Sequence, residues 1–191
     1  MDIVLATTSP YRKEAFAFLK IPFSVEGSQI DEEQFRFNDP EEMVAELARQ
    51  KATAVAAQHK EAIVIGFDSS GYFEGAILNK PKSRKEAFER LTRMSGKSYE
   101  FFTGIYMMHT ETKKTLSRIV KTIAWFRNLS KKDIEVYLDE DELYKTHATG
   151  VNMLNHYSAS FVSRIEGNPH SLLSGIPLDV VLEMLNEFGY N

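Results

Sequence analysis

Short apolar runs along the chain alternate with stretches in which apolar residues recur at helical intervals. The run Ile3–Ala6 predicts a buried strand, and the run Ala62–Phe67 predicts a strand that is covered on both faces. Between them, apolar residues of the segment Val44–Val55 follow an i, i+3, i+4 spacing after Asp39, a residue typical of a helix N-cap. Strands separated by helices predict the α/β fold class.

The rest of the chain carries the same mixture of strand and helix signals. Ser9 with Pro10 predicts a helix directly after the first strand, and Asp68 is expected at the C-terminal end of the strand Ala62–Phe67. The other predicted elements are strands at Phe23–Ile30, Tyr99–His109, Thr115–Arg127 and Ala159–Ile165, a hairpin at Tyr72–Leu78, helices capped by Ser83 and Ser130, a long loop at Leu143–Tyr157 and a last helix from Pro177.

Composition places the chain among globular proteins and narrows its chemistry. With 191 residues, 43% hydrophobic and 26% charged, residues 1–191 suit one domain with a sizeable core, or two tightly joined lobes. The absence of cysteine excludes disulfides and thiolate nucleophiles, so any metal must be held mainly by oxygen.

Charge and hydropathy also bound the partners. The start of the sequence lacks a signal-peptide pattern and no apolar stretch is long enough to span a bilayer, so we expect a cytoplasmic protein without a membrane partner. A net charge of −4 with mixed signs offers no overall field for a nucleic acid polymer. The expected ligand is therefore a small anion that binds to a local cluster.

The segment from Thr7 to Arg12 is the first candidate for such a cluster. It places the hydroxyls of Thr7 and Ser9 and the guanidinium of Arg12 where a strand meets a helix N-terminus, an arrangement that favours bound phosphate. The alternative is an ordinary Ser-Pro helix cap with a solvated arginine.

Three carboxylates fall at predicted strand ends and form a second candidate. Asp31, Glu32 and Asp68 could converge to hold Mg²⁺, which prefers a few carboxylates together with substrate oxygens. The alternative is that each is a turn or cap residue, although an acid that ends a buried strand is costly unless it has a partner.

Two lysines complete the candidates. Lys51 interrupts the apolar face of its helix, where it either covers apolar neighbours with its stem or reaches into a phosphate site. Lys80 precedes a proline in a predicted loop and taken alone is a solvated charge. Gly96 to Ser98 imitate the end of a P-loop, but position 91 is a leucine where the first glycine belongs.

Taken in order, these segments resemble the Maf family of nucleoside triphosphate pyrophosphatases, relatives of the inosine triphosphate pyrophosphatases, over essentially the whole chain. A series of such segments in the right order and spacing is specific for this family. The matching stretches are Leu5–Glu14, Ile30–Glu32, Leu47–Ala52, Ile65–Asp68, Asn79–Pro81, Ser95–Gly96, Thr103–Gly104, Glu166–Gly167 and Gly175–Leu178.

The resemblance implies an elongated α/β fold around a mixed sheet, with a nucleotide cleft between two lobes, in a homodimer. It implies hydrolysis of a nucleoside triphosphate to a nucleoside monophosphate and pyrophosphate with Mg²⁺ or Mn²⁺. The roles it implies are catalysis by Asp68, Glu32 and Lys80, substrate binding by Thr7, Ser9, Arg12, Lys51 and Asn152, and metal binding by Glu32 and Asp68.

The sequence also departs from the family pattern. Tyr11 stands where many members have an arginine, which resembles the branch that prefers 7-methyl-GTP, while dTTP or UTP are the other candidate substrates. The segment Tyr144–Asn152 lacks the usual aspartate and glutamine. The resemblance therefore leaves two alternatives open, a catalytically weak nucleotide-binding regulator linked to cell-division control and a scaffold dimer with a vestigial cleft.

Overall fold

The computed structural model describes residues 1–140, 142–145, 147, 149–153 and 156–190, apart from the side chains of Glu33, Glu142 and Leu143. Within these ranges, strands and helices alternate along the chain as the α/β prediction requires. The strands are β1 (Asp2–Ala6), β2 (Ser24–Glu26), β3 (Ala62–Phe73), β4 (Ala76–Leu78), β5 (Ser98–His109), β6 (Thr115–Phe126) and β7 (Val162–Glu166), and the helices are α1 (Pro10–Ala17), α2 (Pro40–Ala56), α3 (Arg84–Met94), α4 (Lys131–Glu140), α5 (Pro169–Ser174) and α6 (Leu178–Glu187).

The seven strands of the described residues form one mixed sheet. Its order is β2-β1-β3-β5-β6-β7, and β4 pairs with the end of β3. β1 runs parallel to β2 and to β3, whereas the pairs β3–β4 and β6–β7 are antiparallel. The predicted fold class, an α/β fold around a mixed sheet, is confirmed.

The contacts of the backbone group the chain into two compact units. The first unit contains Met1–Ser69, Phe102–Val120 and His170–Asn191, and the second contains Ser70–Phe101 and Lys121–Pro169. Every segment of the first unit is separated from the next by residues of the second unit. The first unit is therefore built from three distant parts of the sequence.

The core of the first unit lies on both faces of β3. Ile63, Ile65 and Phe67 point into a cluster that includes residues of α1 and α6, while Ala62 and Val64 point into a cluster with residues of α2. Because side chains alternate across a strand, a strand covered on both faces has to be apolar at every position. This explains the continuous apolar run in the sequence.

Helix α2 approaches the sheet more closely than side chains would allow. A Cβ atom added to Gly66 on β3 would lie 2.1 Å from the carbonyl oxygen of Ala48, and one added to Gly104 on β5 would lie 2.2 Å from that of Val44. The helix backbone therefore rests directly on the two glycines. This contact fixes the distance between α2 and the residues of β3 that follow Gly66 on the same face.

The second unit has an aromatic core of its own. The ring of Phe126 packs edge-on against Tyr99 at 5.4 Å between centroids, and Phe161 packs edge-on against Tyr137 at 5.7 Å. Edge-to-face pairs of this kind place the positive edge of one ring on the negative face of the other.

The predicted helix caps at Ser83 and Ser130 are also present. Ser83 accepts from the backbone N–H of Glu86, and Ser130 accepts from that of Asp133.

Strand β3 corrects the prediction for Asp68. The sequence predicts a strand that ends at Phe67, but β3 continues to Phe73, so Asp68 lies inside the strand. The pairing with β1 ends at Gly66, and the pairing with β4 begins at Gly71. The polar residues that suggested a strand end instead occupy the stretch between these two pairings.

Two further strand predictions are wrong in their bounds, and one helix was not predicted. The predicted strand Phe23–Ile30 is reduced to β2, and Glu32 begins a 3-10 helix, Glu32–Gln34, so the predicted strand ends for Asp31 and Glu32 are wrong. The predicted strand Ala159–Ile165 begins later, as β7, after a 3-10 helix. Helix α5 is absent from the prediction because six residues that begin with a proline carry too little periodicity.

The predicted loop Leu143–Tyr157 contains short 3-10 segments at Glu142–Lys145 and, from its last residue, Tyr157–Ser160. Thr146, Ala148 and residues 154–155 of this loop lie outside the described residues.

No helix in the described part of the chain combines the length and hydropathy needed to cross a membrane.

We expect Gly66→Ala to destabilise the protein by about 3 kcal/mol, because the new methyl group would overlap the backbone of α2. The free energy of unfolding from urea denaturation measures this effect. The control is Gly75→Ala, where an added Cβ meets nothing within 4 Å and only the positive φ of 83° opposes the substitution, at a cost of about 1 kcal/mol. Equal losses for both variants would contradict the close approach.

Candidate functional site

Lys51 of α2 lies at the centre of a cluster of charges in the first unit. Its Nζ lies 2.6 Å from Oδ1 of Asp68 and 2.9 Å from Oε1 of Glu32. Lys51 is only 9% exposed, so its ammonium group has exchanged most of its water for these two carboxylates. Of the two alternatives for Lys51, the structure therefore supports a lysine that reaches into a charged site.

Asp68 is the most buried acid of this cluster. It is 6% exposed, and its Oδ2 is a buried atom without a hydrogen-bond partner among the described residues. Burial raises the pKa of the Asp68 carboxyl; Lys51 and Arg12 oppose this shift, while the nearby Glu32 adds to it. One oxygen thus holds Lys51 and the other is left without a partner.

Arg12 of α1 reaches the same part of β3. Its Nη1 donates to the carbonyl oxygen of Phe67 at 3.3 Å, its Nη2 to Oγ of Ser69 at 3.1 Å, and its Nε to the carbonyl oxygen of Gly175 at 3.4 Å. Burial lowers the pKa of this guanidinium, against the opposing effect of Asp68 and Glu32. An arginine nevertheless stays charged at neutral pH, so the site contains two cations and two carboxylates.

The loop between β1 and α1 is held by its own hydroxyl groups. Thr7 Oγ1 accepts from the backbone N–H of Ser9 at 3.1 Å, and Ser9 Oγ accepts from that of Arg12 at 3.4 Å. Ser9 is therefore the N-cap of α1, but the solvated arginine of that alternative is wrong, because the guanidinium of Arg12 donates to three acceptors of the protein. This cap fixes the backbone of α1 at Arg12 and so the position of its side chain. Binding of substrate by Thr7 and Ser9 stays a prediction.

Glu32 and Asp68 offer oxygen atoms to a divalent cation. Among the described residues, no group of three or more His, Cys, Asp or Glu side chains could hold a metal ion. Mg²⁺, however, is commonly held by one or two carboxylates and completes its shell with substrate oxygens and water. The unpartnered Oδ2 of Asp68 and the half-exposed carboxylate of Glu32 fit that donor set.

The two other predicted site residues belong to the second unit. Lys80 is exposed in the loop between β4 and α3. Asn152 is buried, its backbone N–H donates to the hydroxyl of Tyr137 at 2.9 Å, and its carbonyl oxygen accepts from Ser158. The catalytic role of Lys80 and the substrate role of Asn152 stay predictions.

Four residues around Arg12 were not predicted from the sequence: Ser69, Thr103, Ser171 and Gly175. Thr103 Oγ1 lies 3.1 Å from Ser69 Oγ and accepts from Ser171 Oγ at 2.8 Å. Thr103 and Gly175 belong to stretches that carried the family resemblance, and Ser69 directly follows Asp68, so the available signal was their place in these motifs.

The charged cluster can bind an anion and activate a nucleophile beside it. Two cations that are already desolvated and oriented stabilise negative charge without further reorganisation. A buried carboxylate with a raised pKa and a free oxygen is suited to accept a proton or to hold a metal ion. This combination is what a site for a phosphate ester or anhydride requires.

Comparison with known proteins gives one consistent family. The chain is 36% identical over 190 residues to a nucleoside triphosphate pyrophosphatase of Synechococcus sp. (strain JA-2-3B'a(2-13)), covering 99% of this chain and 95% of that one. It is 36% identical to a dTTP/UTP pyrophosphatase of Bacillus cytotoxicus, with coverage of 97% and 94%. It is 33% identical to a 7-methyl-GTP pyrophosphatase of Colwellia psychrerythraea, with coverage of 98% and 92%.

Solved structures agree with this at the level of the fold. The Ham1 protein of Staphylococcus aureus superposes with a TM-score of 0.53 and 17% identity, over 96% of this chain and 99% of that one. The Maf-like protein family matches residues 2–188. With that match and relatives above 30% identity along almost the whole sequence, the chain belongs to the Maf family.

Proposed function

We propose that the protein hydrolyses nucleoside triphosphates to nucleoside monophosphates and pyrophosphate. The observation that carries the proposal is the buried Asp68 carboxylate, which holds Lys51 with one oxygen while the other has no hydrogen-bond partner in the described part of the chain. The pyrophosphatase names of the relatives support the same reaction. The proposal therefore rests on a site and on a family that point to one chemistry.

Arg12 and Lys51 would neutralise the triphosphate. Cleavage between the α and β phosphates leaves negative charge on the departing pyrophosphate, and cations held in a poorly solvated site lower the energy of that charge. Lys80 would add a third positive charge as a catalytic phosphate contact. The binding of the phosphates would weaken the bonds of Lys51 to its two carboxylates.

Asp68 would act on the attacking water or on its metal ion. A carboxylate that is desolvated has a raised pKa and is a stronger base than an exposed one, so Asp68 can take a proton from water as the water attacks phosphorus. In-line attack also needs the water to be oriented, which a fixed carboxylate achieves.

Glu32 and Asp68 would hold Mg²⁺ or Mn²⁺ in the presence of the substrate. A divalent cation supplies further neutralisation of phosphate charge. Two carboxylates around Lys51 leave the remaining coordination positions to the phosphate oxygens and water. We therefore expect metal binding to be weak in the absence of nucleotide.

The substrate is proposed within the range of the relatives' names, as 7-methyl-GTP or as dTTP and UTP. Tyr11, next to Arg12 at the start of α1, supports the 7-methyl-GTP branch because an aromatic ring can interact with the positively charged methylated base. We also propose that the protein is a cytoplasmic homodimer; sedimentation equilibrium measures the oligomeric state.

We expect the wild type to release pyrophosphate from one or more members of a panel of nucleoside triphosphates in the presence of Mg²⁺ or Mn²⁺. Asp68→Asn should lower kcat by roughly 10²-fold or more, because it removes the base, and Glu32→Gln by about tenfold, because it removes a metal ligand. A coupled pyrophosphate assay over a nucleotide panel that includes 7-methyl-GTP, GTP, dTTP and UTP gives these values.

Glu61→Gln is the control for this experiment, since it removes an exposed carboxylate of the first unit outside the site. It should keep the wild-type rate. Turnover that survives both site substitutions would overturn the assignment. If no nucleotide is hydrolysed but one of them raises the melting temperature, the regulator alternative is correct, because a ligand that binds only the folded state stabilises it.

The raised pKa of Asp68 also predicts a dependence of stability on pH. The folded state holds this proton more tightly than the unfolded state, so the group's contribution to stability is greatest below the usual aspartate pKa and is lost as the pH rises through the raised value. The free energy of unfolding of Asp68→Asn, relative to wild type, should therefore increase as the pH rises above the usual aspartate pKa of about 4.

Urea denaturation at several pH values measures this difference, with Asp2→Asn as the control for loss of an exposed carboxylate. A difference between Asp68→Asn and wild type that does not change with pH would show that burial does not raise this pKa.

A further inference from the structure

The guanidinium of Arg12 is fixed by the protein before any ligand arrives. Three of its five N–H groups donate, to the carbonyl oxygens of Phe67 and Gly175 and to Oγ of Ser69. Two N–H groups have no acceptor among the described residues and are available for an anion. Only a glycine lets Arg12 come this close to position 175. Its φ is +71°, and an added Cβ would lie 3.1 Å from Arg12 Nε.

Ser69 is the one side chain among these three acceptors, and its hydroxyl continues into a chain of hydroxyl groups. Ser69 Oγ lies 3.1 Å from Thr103 Oγ1 on β5, and Ser171 Oγ on α5 donates to Thr103 Oγ1 at 2.8 Å. Thr103 and Ser171 are both 0% exposed. The chain of hydroxyls therefore runs from the interior of the first unit to the guanidinium.

The direction of the hydrogen bonds along this chain follows from counting protons. A hydroxyl has one proton to donate and two lone pairs that accept. Because Thr103 accepts from Ser171, its own proton is free for Ser69 Oγ, and a fully buried hydroxyl that did not donate would cost free energy. Ser69 Oγ then accepts from Thr103 and from Arg12, which uses both of its lone pairs.

We propose that Thr103 is a positioning residue for Arg12, which acts through Ser69 and is itself fixed by Ser171. Thr103 fixes the rotamer of the Ser69 hydroxyl so that its second lone pair faces Nη2 of Arg12. This inference rests on the proposed role of Arg12 as a phosphate contact. It also gives a role to Thr103, which the reaction itself does not use.

The physical gain is that the ordering of the arginine occurs during folding. An arginine side chain has a large rotamer entropy, and a ligand that has to order it loses affinity by that amount. A guanidinium that is already oriented loses less on binding, and its two remaining N–H groups keep the spacing that phosphate oxygens need.

The test compares Thr103→Val, which keeps the shape of the side chain and removes the hydroxyl, with wild type in the full-length protein. We expect the order parameter of the Arg12 Nε–H group, measured by NMR relaxation and assigned with Arg12→Lys, to fall from about 0.85 to below about 0.6. We expect the Kd for inorganic tripolyphosphate in the presence of Mg²⁺ to rise roughly fivefold to tenfold, and kcat/KM to fall by a similar factor.

Two variants serve as controls, and a third replaces Thr103→Val if that variant does not fold. Thr103→Ser restores a hydroxyl and should recover most of the order and the affinity. Thr110→Val removes another buried threonine hydroxyl, which accepts from the backbone N–H of Ala62 at 2.8 Å, and should affect stability without affecting Arg12. If Thr103→Val does not fold, Ser171→Ala removes the hydrogen bond one step earlier and should shift the same NMR signal.

Unchanged Arg12 order and unchanged tripolyphosphate affinity in a folded Thr103→Val or Ser171→Ala variant would overturn the inference. An equal effect of Thr110→Val would also overturn it, because the loss would then follow from any buried threonine. A wild type that hydrolyses no nucleotide contradicts the proposed function alone, since the NMR measurement tests the positioning of Arg12 without turnover.

Discussion

A buried lysine needs negative charge beside it, and the position of Lys51 between Asp68 and Glu32 satisfies this requirement. The ion pair with Lys51 also neutralises Asp68, which directly follows the part of β3 that is apolar on both faces. Neither charge would be stable there alone. The distance between them depends on the direct contact of α2 with Gly66, so the packing of one helix sets the electrostatics of the site.

The second cation depends on a different face of the same strand. Arg12 makes its contacts at Phe67, Ser69 and Gly175, and through Ser69 it is linked to β5 and α5. Asp68 and Ser69 are consecutive, and side chains of consecutive residues in a strand point to opposite faces. One short stretch of β3 therefore binds both cations, Lys51 from α2 and Arg12 from α1.

Local signals in the sequence predicted much of this arrangement. The caps at Ser9, Asp39 and Ser83 specify where helices begin because the partner of each cap lies two or three residues away. Lys51 was a candidate site residue because it is charged in an otherwise apolar helix face. Asp68 was a candidate because it is an acid that follows a strongly apolar run.

What the sequence could not give depends on contacts between distant residues. The bonds of Arg12 to Phe67 and Gly175 join positions that are 55 and 163 residues apart, and no spacing rule relates them. β3 continues beyond Phe67 as a neighbour of β5 and pairs with β4 from Gly71, although its polar residues suggested an end. Helix α5 is too short to have a period, yet it contributes Ser171.

The discontinuity of the first unit has a consequence for the order of events during synthesis. The segment that starts at His170 supplies Gly175, so the environment of Arg12 cannot be complete until Gly175 has left the ribosome. The second unit consists of residues that are translated earlier. Arg12 therefore lacks one of its acceptors until a residue 163 positions later has been made, and a nascent chain that stalls before His170 carries Arg12 without its contact to Gly175.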